Sequence, residues 1–169
     1  MKTFHRHLGF AALALASSLA FAADPAPAKV DQTFVTKASG AGMYEVEISK
    51  LALQKASDPA IKDFAQMMVT DHTKANDELK QLATTKNLQI APGLPKDKQA
   101  TIDKMAKLDG AKFDKAYRDQ VGLKDHKTDI ALFEKESKNG QDADLKAWAG
   151  QTLPTLKTHL QHAQEIKPK

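Results

Sequence analysis

The amino-acid sequence predicts an all-α protein, a ferritin-like four-helix bundle whose long crossover contains a short extra helix. Three observations lead to this. Four segments repeat apolar residues every three or four positions, the period of one buried helical face. Turn signals divide them in the order helix–helix, long connection, helix–helix. An Asp-His pair recurs midway along the second and third segments, at Asp71-His72 and Asp125-His126.

The chain begins with Lys2 and Arg6, followed by an Ala-rich apolar run from Leu8 to Ala20 and the small-x-small pattern Ala20-Phe21-Ala22. Residues 1–22 therefore read as a signal peptide. The run is short for a bilayer span, so a cleaved leader and a soluble periplasmic product are expected. Residues 23–30, with Pro25 and Pro27, read as a disordered lead-in, and the bundle occupies residues 31–167.

Asp31 suits the N-cap of a first helix that runs to about Ala56. Its inner line is Phe34, Ala38, Ala41, Glu45, Ile48 and Ala52, with Gly40 and Gly42 allowing close approach. Glu45 falls inside this apolar line, whereas Glu47 points almost the opposite way. Asp58-Pro59 then supplies an N-cap and a first-turn proline for helix two. On that helix Ile61, Phe64, Ala65, Met68, His72, Ala75, Leu79 and Leu82 share a face, and Asp71 lies at its edge.

Pro92, Gly93 and Pro95 break the pattern before a short helix from Asp97 to Leu108. Helix three spans roughly Ala111 to Lys138, with Phe113, Tyr117, Leu123, His126, Ile130 and Phe133 inward. Asn139-Gly140 stops it, and Asp142 caps helix four. Helix four carries Leu145, Trp148, Ala149, Leu153, Leu156, His159 or Leu160, Ala163 and Ile166 on its stripe. Pro154 should kink it, and Gly150 four residues earlier lacks the side chain that would worsen the clash.

Composition excludes several function classes. No cysteine is present, so disulfides, thiolate metal sites and cysteine catalysis are absent. Removing residues 1–22 takes away two basic and no acidic residues, which lowers the net charge from +4 to +2. The charges are interspersed, without the basic stripe that nucleic-acid binding needs. No serine or threonine forms a visible triad with a histidine, so the sequence leans away from an enzyme. It names neither a protein partner nor an oligomeric state.

The leader also takes His5 and His7, leaving His72, His126, His159 and His162. Glu45, His72 and His126 lie within about two residues of their helix midpoints, and His159 lies about 7 Å past its own at 1.5 Å per residue. In a bundle of equal helices these four side chains reach one level. The expectation is a site for one transition-metal ion (zinc, copper, iron or manganese) made by Glu45, His72, His126 and His159. His162 would be a fifth ligand or a supporting partner, and Glu134 a weaker candidate. The alternative is a metal-free structural or stress-response bundle with a hydrogen-bonded Glu/His core that senses acid through its histidines.

Met43-Tyr44-Glu45-Val46-Glu47, Met68-Val69-Thr70-Asp71-His72, Gly110-Ala111-Lys112-Phe113-Asp114, Asp125-His126 and the stretch from Leu153 to Leu160 resemble a bacterial family catalogued as domain of unknown function 4142. The resemblance covers about residues 30 to 166. It implies an exported ferritin-like bundle, sometimes described as an outer-membrane protein, and no established activity. Di-iron members of the ferritin-like class carry Glu-x-x-His on two helices. Here Val69, Leu123, Leu156 and His159 stand three residues before the histidines, so a single-metal or metal-free core is expected instead.

Overall fold

The computed structural model of the chain describes residues 28–167, so the expected leader and most of the lead-in lie outside the described residues. Helix α1 spans Lys29–Lys55, α2 Pro59–Thr85 and α3 Lys96–Met105. Helix α4 is continuous but changes pitch. It is α-helical over Gly110–Tyr117, π-helical over Arg118–Asp125 and α-helical again over His126–Asn139. Helix α5 spans Ala143–Glu165 and runs through Pro154 uninterrupted. Among the described residues there is no strand, and no helix is long and apolar enough to cross a membrane.

Helices α1 and α2 form one hairpin and α4 and α5 the other, and the two hairpins pack face to face. Between them, the crossover is pinned along α1. Gln32 pairs with the backbone of Gln89 in both directions, its Oε1 accepting at 2.9 Å and its Nε2 donating at 2.8 Å. Ser39 Oγ accepts from the Ala91 amide at 2.8 Å. Asn87 adopts φ 54° just past the end of α2, and the Leu88 amide returns to the Ala83 carbonyl at 2.8 Å. This is a left-handed cap that satisfies an otherwise orphaned helix-end carbonyl. Gly110, at φ +57°, makes the corresponding left-handed break between α3 and α4.

A carboxylate on the first helix of each hairpin closes the turn of the other. Asp31, expected as the N-cap of α1, lies instead within the first turn, because the helix starts earlier, at Lys29. Its buried carboxylate accepts from the backbone amides of Gln141 and Asp142 at 2.8 and 3.0 Å, in the α4–α5 turn. Asp114 on α4 does the same for the α1–α2 turn, accepting from the amides of Ser57 and Asp58, each at 3.0 Å. Each turn then ends in an aspartate, Asp58 or Asp142, that caps the following helix. The two hairpins are thus related by an approximate two-fold exchange, and an aromatic residue follows each buried aspartate by three positions (Phe34 and Tyr117).

Beside Asp31, the buried Glu136 is pushed up to about 7 by burial first, then by the negative charge of Asp31 and their hydrogen bond. A carboxyl raised above its unfolded value stabilises the fold below about pH 4.5, and that contribution is lost as pH rises through 7. Glu136→Gln keeps a donor toward Asp31 without the titration. It should therefore raise stability at pH 8 by about 2 kcal/mol and leave pH 4.5 nearly unchanged, as measured by urea unfolding at the two pH values.

Candidate metal centre

The apolar interior is divided in two. One cluster, with Tyr44, Ile48, Ile61, Phe64, Met68, Phe113 and Tyr117 at its centre, fills one end of the bundle. The other, with Phe34, Leu79, Phe133, Leu145, Trp148 and Leu156, fills the opposite end. The layer between them holds polar groups: Glu45, His72, Asp125, His126, Asp129 and His159 are all buried. Burying this many ionisable groups is costly unless they are paired or bind an ion. Their arrangement shows how the pairing is made.

His72 stands on α2 and its Nδ1 lies 2.9 Å from Glu45 Oε2 on α1. His126 stands where α4 returns from π- to α-helical pitch, and its Nδ1 lies 2.9 Å from the Val121 carbonyl in the wide turn beneath it. His159 on α5 places its Nε2 2.9 Å from Asp71 Oδ2 on α2. A carbonyl, and a carboxyl in its ionised form, can only accept, so opposite such partners each of these nitrogens carries the proton. The second nitrogen of every ring is then an unprotonated lone pair: Nε2 of His72, Nε2 of His126 and Nδ1 of His159.

These lone pairs turn toward one another. His126 Nε2 and His159 Nδ1 are 3.2 Å apart, and the buried Nε2 of His72 has no hydrogen-bond partner. One nitrogen from each of the three rings lies within 4.8 Å of the others. Two imidazole nitrogens bound to one ion at about 2.0–2.1 Å stand about 3.3 Å apart in tetrahedral coordination, so the 3.2 Å separation fits a shared ion. Each ring also has its outer N–H anchored by a carboxylate or carbonyl, the usual means of fixing tautomer and orientation in metal sites.

Electrostatics favour the neutral imidazole. Burial pushes His72 and His159 down to about 4 and lowers His126, outweighing the nearby carboxylates. The rings are thus unprotonated, as a metal ligand must be, across the physiological range. The carboxyls shift the other way. Burial raises Glu45, against the pull of His126. Burial followed by the charge of Glu45 raises Asp129 well above the usual carboxylate range.

The structure brings together the four residues expected to meet: Glu45, His72, His126 and His159. His162 is exposed and stands outside the cluster. Glu134, the weaker candidate, is a surface residue paired with Lys157 at 2.9 Å. The periodicity missed Asp129 and Tyr44. Asp129 is buried against Glu45 and His72, and Tyr44 is fully buried with its hydroxyl donating to Asp125 Oδ2 at 3.2 Å. Asp125 also accepts from Lys98 Nζ at 3.0 Å, tying α3 to this layer. A repeat count would have found Asp129: Glu45 follows Asp31 by fourteen residues and Asp129 follows Asp114 by fifteen. The π-helical stretch, with its wider turns, lies between the second pair.

Fold and site together define an all-helical bundle with a buried cluster of three histidines. The chain belongs to the family described as Domain of unknown function (DUF4142), whose model matches residues 16–166. No curated protein matches it significantly. Among solved structures, the bundle is similar to CopM in the Cu(I)-bound form, with 17% identity, a TM-score of 0.67, and coverage of 80% of this chain and 93% of that one. It is also similar to a DUF305 fragment from Deinococcus radiodurans at 8% identity and a TM-score of 0.72, covering 83% of this chain and 96% of that one. A third is a Streptomyces coelicolor protein described as a candidate secreted DUF305 protein, at 13% identity and a TM-score of 0.68, covering 79% and 88%. At these identities the likeness is one of fold.

Proposed function

We propose that this protein is an exported, periplasmic metal-binding bundle that holds one transition-metal ion, with copper the first candidate, for metal handling or stress protection. The observation that carries this reading is the convergence of three unprotonated imidazole nitrogens whose opposite nitrogens are all anchored. His72, His126 and His159 would hold the ion. Glu45, Asp71 and the Val121 carbonyl would orient them, so that Glu45 acts through His72. Imidazole donors without thiolate suit copper, zinc, iron or nickel. The fold shared with a protein solved in Cu(I)- and Cu(II)-bound forms supports copper among these. Export rests on the leader-like residues 1–22 and is supported by the secreted description of a structural neighbour.

The test is elemental analysis of protein purified without a histidine tag and then offered copper, zinc, iron or manganese in turn. About one equivalent of one metal is expected, with copper retained most tightly. Wild-type protein that takes up none of the four would exclude the reading. The metal-free alternative has one observation in its favour: the 3.2 Å contact between His126 and His159 can also hold a proton. That alternative requires the same experiment to return no metal.

A further inference from the structure

If the three histidines take up an ion, it must cross a closed bundle. Two of them, His72 and His159, border a cavity of about 30 Å³, room for about one or two waters. Two surface hollows adjoin it. One, of about 240 Å³, lies between α2 and α5 and shares the walls Asp71, Ala75, Trp148, Thr152 and Thr155 with the inner cavity. The other, of about 740 Å³, lies between α1, the crossover and α4 and shares only Ala41 and Asp129 with it.

The two approaches differ in charge. The α2–α5 hollow presents Asp71 and Glu78 against the single cation Lys74. The crossover hollow presents Lys37, Lys96 and Lys98 against Asp97 and Asp129. A cation is drawn to the first more than to the second. Three of the residues the first shares with the inner cavity, Ala75, Thr152 and Thr155, are small. Its rim is closed by one hydrogen bond, from Trp148 Nε1 to Glu78 Oε2 at 3.0 Å. Asp71 faces both sides, with its side chain 38% exposed and its Oδ2 on His159.

We infer that the α2–α5 seam is the route by which the metal enters and leaves, with Glu78 and Asp71 as successive carboxylate stations and the Trp148–Glu78 contact as the rim that must part. This rests on the three-histidine reading and adds to it a place of exchange, the face a metal donor or acceptor would address. Asp71 would first meet the ion as a carboxylate and then, with the ion on His159, serve as that ring's hydrogen-bond acceptor.

The route is tested by rapid mixing of the tag-free protein with Cu(II), following the fluorescence of Trp148, the chain's only tryptophan, with bound copper measured separately at equilibrium. Thr152→Leu and Thr155→Leu narrow the seam, and Ala41→Leu narrows the opposite approach. The seam variants should load at least about tenfold more slowly, because entry then requires a wider local opening, while reaching the same final occupancy. Ala41→Leu should stay within about twofold of wild type, and Glu78→Gln should weaken the salt dependence of loading. Slowing by Ala41→Leu alone, or equal slowing by all three, would overturn the route while leaving the site intact. Unslowed seam variants in a wild-type background that loads would do the same. A wild-type protein with no copper at equilibrium would remove the site and the route together. Two seam variants guard against one failing to fold, which circular dichroism reports.

Discussion

Replacing His126 with alanine is expected to lower copper or zinc affinity by at least about a thousandfold, the largest functional effect foreseen for a single substitution. His126 is fully buried, its Nε2 faces His159 and its ring stands edge-on to His72. Loss of an orienting partner in a metal site costs about 10–100-fold. Glu45→Gln and Asp71→Asn should fall in that range, and loss of a direct ligand should exceed it. His126→Gln keeps most of the side-chain volume and should lose metal equally, which separates lost ligation from a cavity in a fully buried position. His162→Ala, on the exposed surface, should bind like wild type. Competition titrations with a chelator of known affinity measure all of these. Because His72 and His159 are held near 4, protons should compete only below about pH 5, well below the unperturbed imidazole at about 6.5. A wild-type affinity that falls steadily from pH 7 to 6 would contradict the neutral, buried rings.

The helices were legible because their apolar period is unbroken and their stops are chemically explicit. Asp58-Pro59, Asn139-Gly140 and Asp142 fall at the observed ends to within a residue or two. The meeting of Glu45, His72, His126 and His159 was legible for a different reason. Each interrupts an apolar stripe, and helix length fixes the level at which it does so. What could not be read is what depends on a change of pitch. The π-helical stretch rotates the second half of α4 relative to the first, which puts Asp129 and Asp125 indoors although a uniform 3.6-residue period places them at the margin. Tyr44 was missed because α1 packs on more than one side. It meets α2 and α4, and Lys98 from the crossover helix lies 4.4 Å above the Tyr44 ring. A single amphipathic stripe describes a helix with one buried face, and α1 has nearly two.

Asp71 shows the same limit from the other direction. A residue about 100° from the buried line looks like a surface aspartate, and its side chain is indeed 38% exposed. It reaches His159 because α5 lies beside the edge of α2's stripe, a fact of helix packing rather than of helix periodicity. The imidazoles on the seam and their anchors at its margin therefore differ in how far sequence reveals them. A ligand must break the apolar pattern, whereas its hydrogen-bond partner needs only to be a polar residue among many.

Asp114→Ala is expected to destabilise the fold by about 3–4 kcal/mol, more than any other non-ligand substitution considered, and without touching the histidines. The carboxylate is 1% exposed and receives the Ser57 amide, the Asp58 amide and, at 2.6 Å, the Ser57 hydroxyl. A hydrogen bond to a charged acceptor contributes about 1.5–3 kcal/mol, and donors left buried without one cost about as much as they gained. The amides cannot be rescued by the turn itself, since Ser57 and Asp58 lie between two helices and have no intrahelical partner. Asp114→Asn retains one acceptor oxygen and should lose about half as much. Above pH 7, where Glu136 is ionised and donates nothing, Asp31→Ala strands two amides rather than two amides and a hydroxyl and should cost about 2 kcal/mol. It should also relieve Glu136, whose carboxyl loses a neighbouring charge and returns toward its ordinary range. The order Asp114→Ala, then Asp31→Ala, then Asp114→Asn in urea midpoint follows from counting donors. If the two alanine variants instead unfold together at the wild-type midpoint, the cross-hairpin clasps contribute nothing and the hairpins are held by apolar packing alone.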